Sequence, residues 1–200
     1  MTLAELACAA PEEAARASIY LLLSGLFLRP AQAPLGWVAS ASLDDIEEGP
    51  LASAWAHLAE AARRGPAELL SAHAALFVAA GTPAINPYAS VYMDGAAMNT
   101  SLALLRRDLA RLGLQRADDA PEPEDHLGAL CESMAHLILR GVPSRRQADF
   151  LEAHIAPWAE RCLDDVAAQP AAGPYAAVAT FAIEFLASER QALAEEGVTA

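Results

Sequence analysis

Lysine is absent from this chain of 200 residues: all 13 basic residues are arginine, which reads as the codon bias of a GC-rich genome rather than as physics. Cysteine is scarce. Cys8, Cys131 and Cys162 are odd in number, widely spaced and without a C-x-x-C pair. Neither a disulfide framework nor a thiolate zinc site is expected, and a reducing compartment suits this usage. Long apolar runs are missing too. The run Ile19 to Leu28 is far short of the ~20 residues that span a bilayer. It follows Pro11-Glu-Glu13 rather than a basic region and lacks a small-residue cleavage site, so it is not read as a signal peptide, and the expected address is the cytoplasm. No nucleophile elbow, Walker loop or His-Glu-x-x-His motif is found. No segment alternates as a strand with hairpin chemistry, and no internal repeat of fixed period is visible.

What is present is acid and apolar surface. Twenty-six acidic residues against 13 basic ones give a net charge of −13. Such a surface disfavours nucleic acid and anionic membranes and speeds encounter with a basic partner. A hydrophobic fraction of 54% supports a real core, and 20% charged residues argue against disorder.

The apolar spacing is helical almost throughout, which predicts an all-α chain: one globular, bundle-like domain of roughly eight to ten helices. Ala15, Ile19, Leu22, Leu23, Leu26 and Phe27 form a stripe that Leu21 widens, so this helix is expected at the centre of the core. Ser42-Leu-Asp-Asp45 reads as a capping box for a short helix stopped by Gly49, and Ser144-Arg-Arg-Gln147 as a second. Pro50 and Pro66 stand where helices begin, with Gly65 as a terminator between them. The helix from Pro66 is expected to bury Leu69, Leu70, His73, Leu76 and Phe77. Leu102, Leu105, Leu109 and Leu112 make a later stripe ended by Gly113. Leu127, Leu130, Cys131, Met134, Leu137 and Ile138 make another, and Pro157 should kink or split the next helix in the chain. The polar stretch around residues 115–122 is the best candidate hinge, allowing a division into parts 1–116 and 122–200 that still share packing.

Two irregular stretches interrupt this pattern. One is the long segment Gly81 to Gly95, carrying Pro87, Tyr88, Ser90 and Tyr92; the other is Pro121-Glu-Pro-Glu-Asp-His126. Loops longer than about 12 residues in compact domains are often functional. Asp125-His126 is the sharpest polar pair. One account makes Asp125 or Glu124 a helix cap and His126 a rim residue. Another makes the pair part of a small hydrolase or nucleotide-binding site, with Ser90 the only hydroxyl available and nothing in the sequence coupling it to the pair. A metal site is not expected: Glu132-x-x-x-His136 and Glu152-x-His154 miss the Glu-x-x-His spacing of carboxylate-bridged bundles. His126 and His136 stand about 15 Å apart along a helix.

Three stretches in order carry a family likeness: His73-Ala-Ala-Leu-Phe77 running into Pro87-Tyr-Ala-Ser-Val-Tyr92, then Glu122-Pro-Glu-Asp-His126-Leu127, then Phe150-Leu-Glu-Ala-His-Ile-Ala-Pro-Trp158. Tyr20 to Phe27 followed by Pro30 extends it. The chain resembles the TorD/DmsD family of maturation chaperones for molybdenum-containing oxidoreductases, related to the NarJ group. The resemblance implies an all-helical fold and no catalysis, and no cofactor is expected. It implies binding of the twin-arginine signal peptide of a molybdoenzyme precursor, with export delayed until the cofactor is inserted, by a monomer or a domain-swapped dimer. Carried over by motif, the peptide-binding candidates are Leu76, Phe77, Pro87, Tyr88, Ser90, Tyr92, Glu122, Asp125 and His126. The chemistry agrees: two adjacent guanidinium groups call for carboxylates, and the apolar run behind them calls for a groove. On this reading Glu122 and Asp125 take the arginines while Leu76, Phe77, Tyr88 and Tyr92 line the groove.

Overall fold

Proline sets where several helices begin. It lacks the N–H that a first helical turn leaves unpaired, and its φ is already helical. In the computed structural model, which describes residues 10–40, 48–78, 82–94, 100–118 and 120–199, four helices start at such a residue. The helices are α1 (Pro11–Leu28), α2 (Leu35–Ser40), α3 (Pro50–Arg63), α4 (Pro66–Phe77), α5 (Ala89–Met93), α6 (Thr100–Arg111), α7 (Leu127–Leu139), α8 (Ser144–His154), α9 (Ala159–Ala167) and α10 (Pro174–Thr199). A 3₁₀ turn, Pro30–Gln32, comes after α1. No strand occurs among the described residues, so the chain is all-α, at the upper end of the expected helix count.

α1 buries Ala17, Tyr20, Leu22, Leu23, Leu26 and Phe27 and packs along α7. Gly128, at the start of α7, permits that approach: a Cβ there would stand 2.7 Å from Leu28 Cγ and 3.2 Å from the Ser24 carbonyl oxygen. α10 packs on α3, α8 and α9, so the two sides of the expected hinge share one core. Tyr175, in its first turn, donates a hydrogen bond to the Leu26 carbonyl at 2.5 Å. Farther along, Glu189 receives the fork of Arg16, Nε and Nη2 each at 2.9 Å, and Arg16 Nη2 also reaches Gln147 Oε1 at 3.0 Å. That buried clip ties α1, α8 and α10 together.

Pro157 does split its helix, into α8 and α9. Three local expectations are corrected. Leu70 is exposed, because Leu69, Ala72 and Leu76 already fill the buried side of α4. Ser144 is the first helical residue rather than the cap, and Gln147 turns its amide to the Val142 carbonyl and to Arg16, so no capping box forms. The segment Gly81 to Gly95 is not irregular throughout, since α5 lies within it; its two glycines lie outside the described residues. The capping box at Ser42 to Asp45 and Cys8 also lie outside them. Cys131 and Cys162 are free, and burial pushes each thiol up to about 12. No described helix is long and apolar enough to cross a membrane.

Candidate functional site

The two irregular stretches are paired with each other. Tyr88 and His126 form an isolated antiparallel bridge. The Ala89 N–H donates to the Asp125 carbonyl at 3.0 Å, and the Leu127 N–H to the Pro87 carbonyl at 2.8 Å. Side chains reinforce the pairing. Asp125 Oδ2 accepts from the Ser90 N–H at 3.0 Å and from Ser90 Oγ at 2.6 Å. Tyr88 Oη donates to Glu122 Oε2 at 2.6 Å, and its ring meets the His126 imidazole edge-on at 5.1 Å. Burial raises the Tyr88 phenol above its ordinary range, and the bond to Glu122 adds to the shift. A hydroxyl bonded to a carboxylate at this length is among the stronger neutral-to-charged hydrogen bonds.

These bonds reassign the helix caps. α7 is capped by His126, whose Nδ1 accepts from the Gly128 N–H at 3.0 Å. Asp125 instead satisfies the first turn of α5, from 35 residues away. The antiparallel bridge explains the exchange, because it turns Asp125 toward residues 89–90 and away from its own helix. Asp125 is 1% exposed and His126 5%. Burial lowers the His126 pKa to about 4, against the opposing pull of Glu122 and Asp125, so the imidazole is neutral near pH 7. With Nδ1 accepting, its proton is on Nε2. Ser90 therefore bonds the carboxylate directly rather than through the imidazole, which is not the order of a serine–histidine–acid relay.

Of the nine predicted residues, Pro87, Tyr88, Ser90, Glu122, Asp125 and His126 come together at this junction. Leu76 supports it from the core: it is fully buried, and its carbonyl accepts the Ile85 N–H at 3.0 Å. Phe77 packs edge-on against Phe27 and Tyr175 and beside His73. Tyr92 turns elsewhere. It stacks on Trp158 at 5.6 Å between ring centres and donates to Asp165 at 2.9 Å, fastening α5 to α9.

The junction's outer side borders two adjoining cavities of about 380 and 410 Å³. Both are lined by Leu109, Leu114, Arg116 and Glu124, and the first also by Glu122, Ala129 and Glu132. The wall between α6 and the turn exists because Gly113 adopts φ 69°, the left-handed conformation that a C′ glycine supplies. The Leu114 N–H then reaches back to the Leu109 carbonyl at 2.9 Å and the Gly113 N–H to the Ala110 carbonyl at 3.1 Å, which folds residues 114–116 beside the acidic turn. Within that turn Glu124 is gripped by Arg106, Nε to Oε1 at 3.0 Å and Nη2 to Oε2 at 2.9 Å. Burial pushes Glu124 up, but the Arg106 fork, with Arg116 nearby, outweighs it and holds the carboxyl below its ordinary value. Arg116 donates to the Glu122 carbonyl at 3.0 Å and to that of Ala120. Glu124, Glu132, Arg106 and Arg116 were not among the expected binding residues. The run of acids at Glu122-Pro-Glu-Asp125 was a signal for Glu124; nothing local marks the other three.

The chain is also similar to known proteins. The sequence profile described as nitrate reductase delta subunit matches residues 45–164. A protein from Vibrio cholerae (strain O395) named "Chaperone protein TorD" is 29% identical over 90% of this chain and 92% of its own length. One of the same name from Shewanella pealeana is 25% identical over 93% of both. A third, from Pasteurella multocida, is 37% identical over 46% of each chain. The profile covers more than half of the chain, including the whole junction, and so the chain belongs to the nitrate reductase delta subunit family, which takes in the NarJ and TorD chaperones.

Proposed function

We propose that this chain is a maturation chaperone that binds the twin-arginine signal peptide of a molybdenum-containing oxidoreductase precursor in the cytoplasm and delays its export until the cofactor is inserted. The observation that carries the reading is the groove beside the acidic turn. Three carboxylates, Glu122, Glu124 and Glu132, border it together with Arg29 and Arg116, and Leu109, Leu114 and Ala129 give it apolar walls. A dibasic segment leading into an apolar run needs that combination: planar acceptors for the guanidinium groups and a greasy channel for the run behind them.

The junction residues then divide by task. Glu122, oriented by Tyr88, and Glu124 face the peptide. Asp125, enclosed and committed to Ser90, fixes the turn in place, as do His126 and Pro87. Leu76 anchors Ile85, two residues before Pro87, Phe77 packs in the core against Phe27 and Tyr175, and Tyr92 secures α5. This division moves the arginine contacts from Asp125 to Glu124, because a carboxylate enclosed to 1% that already accepts two hydrogen bonds is a poor seat for an incoming cation. No chemical step is required of any of these groups.

Calorimetry with a synthetic leader peptide tests the proposal. A peptide with adjacent arginines before an apolar run should bind about tenfold more tightly than its dilysine counterpart, since a lysine keeps the charge but not the fork. Equal affinities would contradict guanidinium recognition.

A further inference from the structure

The acidic turn already holds two guanidinium groups, and both belong to the chain itself. Arg106 reaches Glu124 with the parallel Nε and Nη2 bonds that an arginine of another polypeptide would make. Arg116, ten residues on, covers the backbone carbonyls of Ala120 and Glu122. The Arg106–Glu124 pair is also lopsided. The glutamate side chain is 14% exposed and the arginine 56%. In the other described arginine–carboxylate pairs either both partners are largely enclosed, as with Arg16 and Glu189, or the acid is at least 27% exposed. A fixed, nearly enclosed acceptor beneath a solvated donor is the arrangement of a seat with a removable occupant.

We propose that Glu124 is the guanidinium seat of this site and that Arg106 is its resident competitor, displaced when an arginine of the leader arrives. The inference rests on the leader-binding reading and adds to it a specificity-determining residue. Exchange of one guanidinium for another replaces two N–H···O bonds with two of the same kind, so the seat keeps a forked partner throughout. A lysine must break the same two bonds and return a point charge without the fork geometry. Arg106 therefore sets a threshold that arginine passes and lysine does not. The competitor is weak enough to be displaced, because a partly exposed pair is worth at most about a fivefold shift in an equilibrium.

The test uses the full chain labelled with ¹⁵N-arginine, in which the Nε–Hε resonance of Arg106 is assigned by its loss in Arg106→Ala. On titration with the diarginine leader peptide, that resonance should move to the position of a solvated arginine. In calorimetry, Arg106→Ala should bind the diarginine peptide up to about fivefold more tightly, with a reduced preference over the dilysine peptide. If the peptide saturates the protein while the Arg106 resonance stays in place, the exchange is overturned and the leader-binding reading survives. A parallel titration with methylguanidinium separates the two ideas from the other side. If methylguanidinium displaces Arg106 and no leader peptide binds, the seat stands and the leader reading falls. If neither ligand moves Arg106, the seat is wrong.

Discussion

Two arginine–glutamate forks in this molecule have nearly the same geometry and opposite surroundings. Arg16 meets Glu189 with both bonds at 2.9 Å, and Arg106 meets Glu124 at 3.0 and 2.9 Å. The side chains of the first pair are 13% and 6% exposed; in the second the arginine is open to water. Bond length alone does not say what a pair is for. The buried fork joins α1 to α10 across 173 residues of sequence, and its arginine is held further by Glu13 and Gln147. The open fork lies beside a groove, and its arginine loses little by leaving. One pair is part of the fold; the other is proposed as part of the site.

The largest effect should come from breaking the buried fork. Glu189→Ala leaves the enclosed Arg16 with only Glu13, at 3.0 Å, as counter-charge and should cost about 3 kcal/mol in urea unfolding. A loss below about 1 kcal/mol would erase the contrast between the two pairs. The next effect is a pH dependence centred on the junction. His126 has its folded pKa lowered to about 4 by burial, against an ordinary value of 6.5, so the unfolded chain takes up its proton first. Its contribution to stability is full above pH 6.5 and is lost as the pH falls toward 4, by up to about 3 kcal/mol. Burial lowers the pKa of His73 and of His154 as well, with the same sign. Unfolding midpoints measured between pH 7.5 and 4.5 should fall, and His126→Gln should flatten that slope; an unchanged slope would remove His126 from the account.

A smaller effect is expected at Gly128. Gly128→Ala places a methyl against Leu28 and the Ser24 carbonyl and should destabilise by about 1–3 kcal/mol through overpacking. Thermal denaturation reads it, and a neutral result would mean that α1 and α7 separate easily. The smallest effect on stability should be at the open fork: Arg106→Ala should cost under about 1 kcal/mol, while it changes leader affinity. A stability loss as large as that of Glu189→Ala would make Arg106 a structural residue and collapse the comparison.

These contrasts also show how much is legible in the sequence. Helix starts at Pro50 and Pro66, the stop at Gly113 and the break at Pro157 come from local backbone chemistry, and they are where the structure has them. The stripes of α1 and α7 placed the core for the same reason, since periodicity of 3.6 is a local property. Leu70 failed because the pattern of a short helix does not say how wide its buried face is. The site was half legible. The motifs at 87–92 and 122–127 are visible as departures from helix, but their pairing is not. Asp125 bonds Ser90 across 35 residues, and Arg106 bonds Glu124 across 18, at no fixed spacing. Tyr92 is expected at the groove because of its neighbours in sequence, which carry no sign of its packing against the distant Trp158.

A double-mutant cycle measures whether Glu124 receives a leader arginine. Wild-type chain and Glu124→Gln are each titrated calorimetrically with the diarginine and the dilysine peptide. The substitution should weaken the diarginine peptide more than the dilysine one, with a coupling energy of about 1 kcal/mol or more. Equal losses for the two peptides, hence no coupling, would contradict it.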